Sequence, residues 1–281
     1  MPYLELFDET LDINSTEIYE LSVEMSQASL SFAILDTIRN KYIMLRSSEP
    51  DENKNFTAEN IDGIITGDDF LRKKYKRVNV VVSSPKFTLV PTPLFDPAKK
   101  EEYYKLNFNR EENEVILANK IPDPDAYIIF SMPAAFYDLI GQSYPGNYLS
   151  HHIKPLLNQV SYKSKSADRK YIHLHIERDY FNLMIMDNNV LKFSNTFNYR
   201  NISDILYYVL RVYKGMDISH DETIHFSGMI ENSDNLYSNF AIYLRDLKFT
   251  GPSGNFSFSY VFNDIDLHRY INLFSITNCE S

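Results

Sequence analysis

Two stretches of this chain, 153 residues apart, carry the same pattern of three short strands, and that repetition restricts the fold more than any other feature. Tyr171 to Tyr199 (YIHLHIERDYFNLMIMDNNVLKFSNTFNY) reads as three strands in succession, and so does Tyr19 to Ser47 (YELSVEMSQASLSFAILDTIRNKYIMLRS). Laying Leu21-Ser-Val-Glu24 on Leu174-His-Ile-Glu177 fixes the offset at 174 − 21 = 153, which sets Leu30 on Leu183 and Phe32 on Ile185. A period that long predicts two related domains, since solenoid repeats run ~20–50 residues. The expected division is 1–161 and 162–281, with an insertion around 85–125 in the first half. Ser161 to Arg169 (SYKSKSADR), polar and rich in small residues, is the linker this division implies.

Helical periodicity follows each triplet. In the first half a helix is predicted from Ala58 to about Tyr75, with Thr57 as N-cap and Ile61, Ile64, Ile65 and Phe70-Leu71 buried. Arg77 to Ser83 is β-branched and apolar on both faces, as an interior strand requires. Asp96-Pro97 opens a helix to about Phe108, with proline at the first position, where its missing N–H costs nothing. Strands are expected over Glu114–Ile121 and Ala126–Ser131, joined by a Pro-Asp-Pro turn. Helices then start at Met132 and at Ser150.

In the second half Ile202, Ile205, Leu206, Val209, Leu210 and Tyr213 recur at helical spacing, and Gly215 is placed to end that helix in the left-handed conformation. A strand over Glu222–Ser227, a helix through Leu236 to Leu247, a strand over Phe256–Phe262 and a helix over Ile265–Phe274 complete the chain.

A formal net charge of −10 opposes non-specific binding to a phosphate backbone, which needs Lys and Arg to displace counterions, so nucleic acid is not an expected partner. The basic run Arg72 to Arg77 ends a predicted helix, where cations meet the negative end of the dipole. Cys279 is the only cysteine, which excludes an internal disulfide and a multi-thiolate zinc site. The first residues lack the basic and apolar regions of a secretory signal, and no apolar run reaches the ~20 residues that span a bilayer. A cytoplasmic protein without a membrane span is the expectation.

Three strands, helix, strand, helix, stated twice, is the order of ribonuclease-H-like domains that pair in the actin-like ATPase fold. The chain resembles an uncharacterised family of Bacteroidetes proteins of unknown function with that fold. The likeness is carried by Thr88-Leu-Val-Pro91 with Leu94-Phe95, by His151 or His152, by Leu191 to Tyr199 (LKFSNTFNY), by Tyr207-Tyr-Val-Leu210, and by Gly228 at a strand end. It implies an α/β architecture of duplicated ribonuclease-H-like domains, with mixed sheets, flanking helices, and a cleft where working members of the superfamily hold ATP and magnesium.

Those members place an acidic residue and glycines in the turn between the first two strands of each half, because backbone amides approach a phosphate only where side chains are absent. Here the turns read Glu24-Met-Ser-Gln-Ala-Ser29 and Glu177-Arg-Asp-Tyr-Phe-Asn182, without glycine. The whole chain has 8 glycines, where an average composition would give ~20. Ser26 and Asp179 stand nearest the phosphate-loop acid by repeat alignment, Glu24 and Glu177 are the alternatives, and Gly228 keeps half of the adenosine-loop glycine pair. These five are the cleft candidates, and no cofactor is expected.

His173, His175 and Glu177 alternate on one strand and so share a face, which makes His173 and His175 the metal candidates. His151-His152 is read as a cap or packing pair. No Gly-x-Ser-x-Gly elbow supports nucleophilic catalysis. The leading expectation is a non-catalytic interaction or scaffold module on a degenerate actin-like ATPase fold, with an unidentified protein partner. Its alternatives are an atypical nucleotide-binding protein or ATPase, and a metal-dependent hydrolase.

Overall fold

The structure, a computed structural model, describes residues 4–50, 55–167, 169–231 and 234–278. In chain order the elements are β1 (Leu4–Phe7), β2 (Tyr19–Met25), β3 (Leu30–Asp36), β4 (Lys41–Ser48), α1 (Ala58–Gly67), β5 (Arg77–Val82), β6 (Phe87–Pro91), α2 (Lys100–Lys105), β7 (Glu114–Ile121), β8 (Ala126–Pro133), α3 (Ala134–Ser143), β9 (Tyr148–His151) and α4 (Ile153–Ser164). There follow β10 (Tyr171–Ile176), β11 (Tyr180–Asp187), β12 (Val190–Asn198), α5 (Ile202–Gly215), β13 (Ile224–Gly228), α6 (Asn235–Tyr243), β14 (Leu247–Phe249), β15 (Ser257–Phe258) and α7 (Ile271–Ser275). The chain divides into unit 1, residues 1–155, 253–265 and 272–281, and unit 2, residues 156–252 and 266–271. The division falls inside α4, so part of the expected linker is helical, and most of the C-terminal segment belongs with unit 1.

Unit 1 is built on a mixed sheet in the order β1-β4-β3-β2-β5-β9, with β15 also on β4. Leu21, Val23, Met25, Leu30, Phe32 and Ile34 meet Ile61 and Ile65 of α1 and Leu139 and Ile140 of α3 in one buried cluster. Each such side chain stabilises the unit by about 1.5–3 kcal/mol on burial. Helix α1 starts at Thr57 with a capping box through Asn60. It stops at Gly67, eight residues short of Tyr75, because the Asp68 carboxylate accepts the N–H groups of Phe70 and Leu71 and folds a turn instead. Strand β9, paired parallel to β5, lies where the sequence pattern begins a helix.

The insertion is a three-stranded antiparallel sheet in the order β6-β8-β7, so it reaches Pro133. It has a small core of its own, where Tyr104 from α2 packs with Val90, Ile116 and Ile129. The Tyr104 hydroxyl shares a 2.7 Å hydrogen bond with Ser131 Oγ.

Unit 2 has the sheet order β12-β11-β10-β13-β14. One face carries Ile172, Leu174, Ile176, Leu183, Ile185 and Phe226 against Ile205, Val209 and Tyr213 of α5 and Leu236 and Phe240 of α6. The α5 N-terminus has a capping box between Asn201 and Asp204. Its end differs from the expectation. Gly215 is still helical, and the left-handed residue is Asp217 at φ 53°, past which Ile218 N–H returns to Tyr213 O at 2.9 Å.

The two sheets repeat one topology, and their registers correct the offset read from sequence. Met25 pairs with Leu30 where β2 turns into β3, and Ile176 pairs with Phe181 where β10 turns into β11. A bulge falls between Ile34 and Leu35 in one unit and between Ile185 and Met186 in the other. Both landmarks give 151 (176 − 25 and 185 − 34), two less than 153. A slip of two leaves every side chain on its own face, so hydrophobic alternation cannot detect it.

Candidate functional site

At offset 151 the counterpart of Ser26 is Glu177 rather than Asp179, and that of Glu24 is His175 rather than Glu177. The backbone agrees. Ser26 N–H donates to Ser29 O at 2.9 Å, as Glu177 N–H donates to Tyr180 O at 2.9 Å.

In unit 1 Ser26 serves the hairpin itself and Glu24 ties it to neighbouring elements. Ser26 Oγ accepts the N–H groups of Ala28 and Ser29, each at 3.0 Å, so the amides of the turn point at a hydroxyl. Glu24 Oε1 accepts Ser83 Oγ at 2.8 Å and Asn272 Nδ2 at 3.1 Å, which ties β2 to the end of β5 and to α7. The amides of this turn are thus engaged by its own side chain.

In unit 2, Asp179 is at the exposed tip of its hairpin, ion-paired with Arg178 Nε at 3.1 Å. Gly228 has φ +84°, and a Cβ there would stand 2.1 Å from Ile176 O, so glycine is required for the approach of β13 to β10. Met229 N–H donates to that same carbonyl at 2.7 Å. The glycine expected beside an adenosine is accounted for by the packing of two strands.

The sheet does bring His173, His175 and Glu177 into one row, and adds a residue the sequence reading passed over, Ser227. His173 Nε2 and His175 Nδ1 each lie 2.8 Å from Ser227 Oγ, and His175 Nε2 lies 3.1 Å from Glu177 Oε1. The carboxylate only accepts, so His175 carries its proton on Nε2 and presents a lone pair at Nδ1. Ser227 then donates to His175 and accepts from His173, which has its proton on Nε2 and a buried Nδ1 without a partner. Burial, reinforced by the neighbouring His175 and His225, holds His173 well below the ordinary imidazole value. His225, stacked on Tyr171 at 4.0 Å, is pushed down to about 4 by burial. The relay is a chain of hydrogen bonds with Ser227 fully buried at its centre. Pairing β10 with β13 in parallel puts His175 beside Ser227, a juxtaposition of residues 52 positions apart that no local motif signals.

Of the two metal candidates, His175 turns its lone pair to Ser227 and His173 turns its N–H there, so the two do not present a pair of lone pairs to one point. Among the described residues, no group of three or more His, Cys, Asp or Glu is placed to hold a metal ion. His151, fully buried, packs on Phe130 and Phe87, accepts Ile153 N–H at Nδ1, and meets Ser84 O through Nε2 at 3.1 Å. It is a cap and a packing residue. Cys279 lies outside the described residues.

A family model described as a protein of unknown function, DUF3822, matches residues 8–247. The chain belongs to that family. No curated protein matches it. Among solved structures, this DUF3822 protein is similar to a Bacteroides thetaiotaomicron protein with actin-like ATPase fold and unknown function, at TM-score 0.79 and 24% identity over 86% of this chain and 94% of that one. It is also similar to a chain of the PilM-PilN type IV pilus biogenesis complex, at TM-score 0.62 and 11% identity over 94% and 97% of the two chains. The ethanolamine utilization protein EutJ from Carboxydothermus hydrogenoformans matches at TM-score 0.51 and 7% identity over 98% and 92%. The fold is therefore actin-like, as the strand order indicated. No helix among the described residues is long and apolar enough to cross a membrane.

Proposed function

We propose that this DUF3822 protein is a non-catalytic, cytoplasmic recognition module that keeps the actin-like scaffold to bind a protein. The observation that carries the reading is the state of the hairpin after β2. Its amides are capped by Ser26 Oγ, and its Glu24 carboxylate is already bonded to Ser83 and Asn272. A triphosphate needs backbone amides that face outward without side chains in the way. Two further features support the reading. The insertion, which has a core of its own, exposes Leu94 after β6 and Leu106 after α2, 68% and 80% accessible. A solved structure of similar fold, the PilM-PilN complex, pairs two different proteins.

The test is thermal unfolding against ATP–Mg, ADP–Mg and GTP–Mg. A bound nucleotide at ~100-fold its dissociation constant would stabilise the fold by ~2.7 kcal/mol. No shift is expected, and a saturable shift with any of the three overturns the proposal.

A further inference from the structure

Unit 2 contains a cavity of about 290 Å3 at one end of its sheet. Its wall is made by Ser164 at the end of α4, by Arg169 and Lys170 before β10, by Asp187 and Asn189 at the β11–β12 turn, and by Glu222 before β13. The register of β10 on β11 and β13 puts this end opposite the one that holds Glu177 and Gly228, so none of the preceding chemistry uses it. The volume stands at the lower end of the ~300–1,000 Å3 of ligand sites, which suits a small molecule.

Three charged side chains of the wall are left over by the fold. Arg169 and Lys170 make no ion pair and no side-chain hydrogen bond among the described residues. Glu222 likewise has no side-chain hydrogen-bond partner among them, and its Oε2 is buried. The neighbouring polar groups are satisfied locally: Ser164 Oγ donates to Ser161 O at 2.8 Å, and Asp187 Oδ1 accepts Asn188 Nδ2 at 3.1 Å. Counting back from the pair Ile172 and Ile224, Lys170 and Glu222 stand side by side at the starts of two parallel strands, yet no ion pair joins them.

Glu222 is also set against the core rather than turned out to solvent. Burial, and after it the Glu222 charge, push the Tyr213 phenol upward, and the Tyr213 hydroxyl is itself buried without a partner. A carboxylate can only accept, and a guanidinium or ammonium can only donate. Polar groups taken out of water cost stability unless they are bonded, so this end of the sheet keeps one acceptor and two donors that the chain itself does not use.

We propose that this cavity binds a small polar zwitterion of the class of a free α-amino acid. Arg169 and Lys170 receive the ligand carboxylate, Glu222 receives its ammonium group, and its side chain rests against Ser164 and Asn189. A ligand with both charges answers all three unused groups at once. A simple anion would face the Glu222 charge unpaired, and a simple amine would face the two cations. The site is separate from the protein-recognition reading and does not depend on it.

The experiment is isothermal titration of the full chain with glycine, L-serine, L-asparagine and L-glutamine. Saturable binding of at least one is expected. For that ligand, the amide, which lacks the carboxylate charge, and the deamino acid, which lacks the ammonium, should each bind more than about tenfold more weakly, since each loses hydrogen bonds to a charged group. Glu222→Gln should erase the preference for the amino acid over its deamino form. Arg169→Gln with Lys170→Gln should erase the preference for the amino acid over its amide. The blocked ligands act on the unaltered chain, so the comparison survives a variant that fails to fold.

Absence of saturable binding by all four amino acids, equal binding of the amide or the deamino acid, or preferences that persist in folded variants overturns the proposal. The nucleotide titration is independent. A chain that binds no amino acid loses this site and keeps the recognition reading, whereas a nucleotide shift removes that reading and leaves this site standing.

Discussion

The sheets of units 1 and 2 share strand order, strand directions and the position of a bulge, yet they differ at the two places where a repeat is free to diverge. The first is the outer edge. In unit 1 most of the outer edge of β4 is covered, by β15 at Lys41 and Tyr42 and by β1 from Met44 to Ser47. In unit 2 the equivalent strand, β12, ends the sheet among the described residues, with Val190 53% exposed. The second is the face away from α1 and α5. Ser22 and Glu24 in one unit become His173 and His175 in the other, and Val81 becomes Ser227. Topology is held by the backbone pairing and the apolar face, and the polar face has been rebuilt around whichever hydrogen bonds each sequence could close.

Four measurements would break or sharpen that comparison. The largest effect is expected at Gly228, whose unit 1 counterpart is Val82. Gly228→Val places atoms on Ile176 O and holds a β-branched residue at φ +84°, and a loss of about 4 kcal/mol or more is expected by chemical denaturation. Val82→Ala in the other unit should cost only about 1 kcal/mol.

Ser227→Ala should come next. It leaves His173 Nε2–H without an acceptor and His175 Nδ1 without a donor in a buried site, a loss of about 3 kcal/mol. A cost under about 1 kcal/mol would show that the relay is not closed in solution.

The pH dependence is the third. His173 and His151 are fully buried, and burial holds both well below the usual imidazole value. The unfolded chain therefore takes up protons near pH 6.5 that the native state refuses. Stability present above that pH is lost on acidification, and it continues to fall until the lowered native values are reached. Below about pH 6.5 stability should fall with acidification, by at most about 1.4 kcal/mol per pH unit for each group. His225, at about 4, acts in the same direction. Two of the three lie in unit 2, so its amides should lose hydrogen-exchange protection before those of unit 1, and acid-insensitive stability would contradict neutral buried histidines.

The smallest effect concerns the edges. Outward-facing amides of β12 should exchange faster than those of β4 by about two orders of magnitude, since local opening governs exchange where no strand covers them. Comparable rates would mean that β12 has a partner in solution.

Much of this was legible before any coordinates. Alternation in Tyr19–Ser47 and Tyr171–Tyr199 exposed six strands, and the 3.6-residue spacing of Ile202 to Tyr213 exposed α5, because both periods are written locally. Short elements were not legible: β9 is four residues, and only its pairing with β5 makes it a strand. Nor was the C-terminal stretch, where Phe256 to Phe262 looks like a strand but only Ser257 and Phe258 pair with β4, the Phe256 ring meeting Tyr42 edge-on and the Phe258 ring stacking on it. Among the site residues, the row of His173, His175 and Glu177 followed from period two. Ser227 did not, because its place in the relay depends on a register between distant strands.

The amino-acid sequence alone determined the duplicated α/β architecture, the scarcity of glycine where phosphate loops need it, and the acidic balance of the chain. Each of these is local or compositional, and a linear reading suffices. Tertiary structure decided the offset of the repeat, the closing of Ser26 onto the amides of its own hairpin, the tie from Glu24 to Ser83 and Asn272, and the meeting of His173 and His175 at Ser227. Those depend on which strand lies beside which and at what register, and a shift of two residues along a strand leaves the hydrophobic pattern unchanged while it alters every polar neighbour.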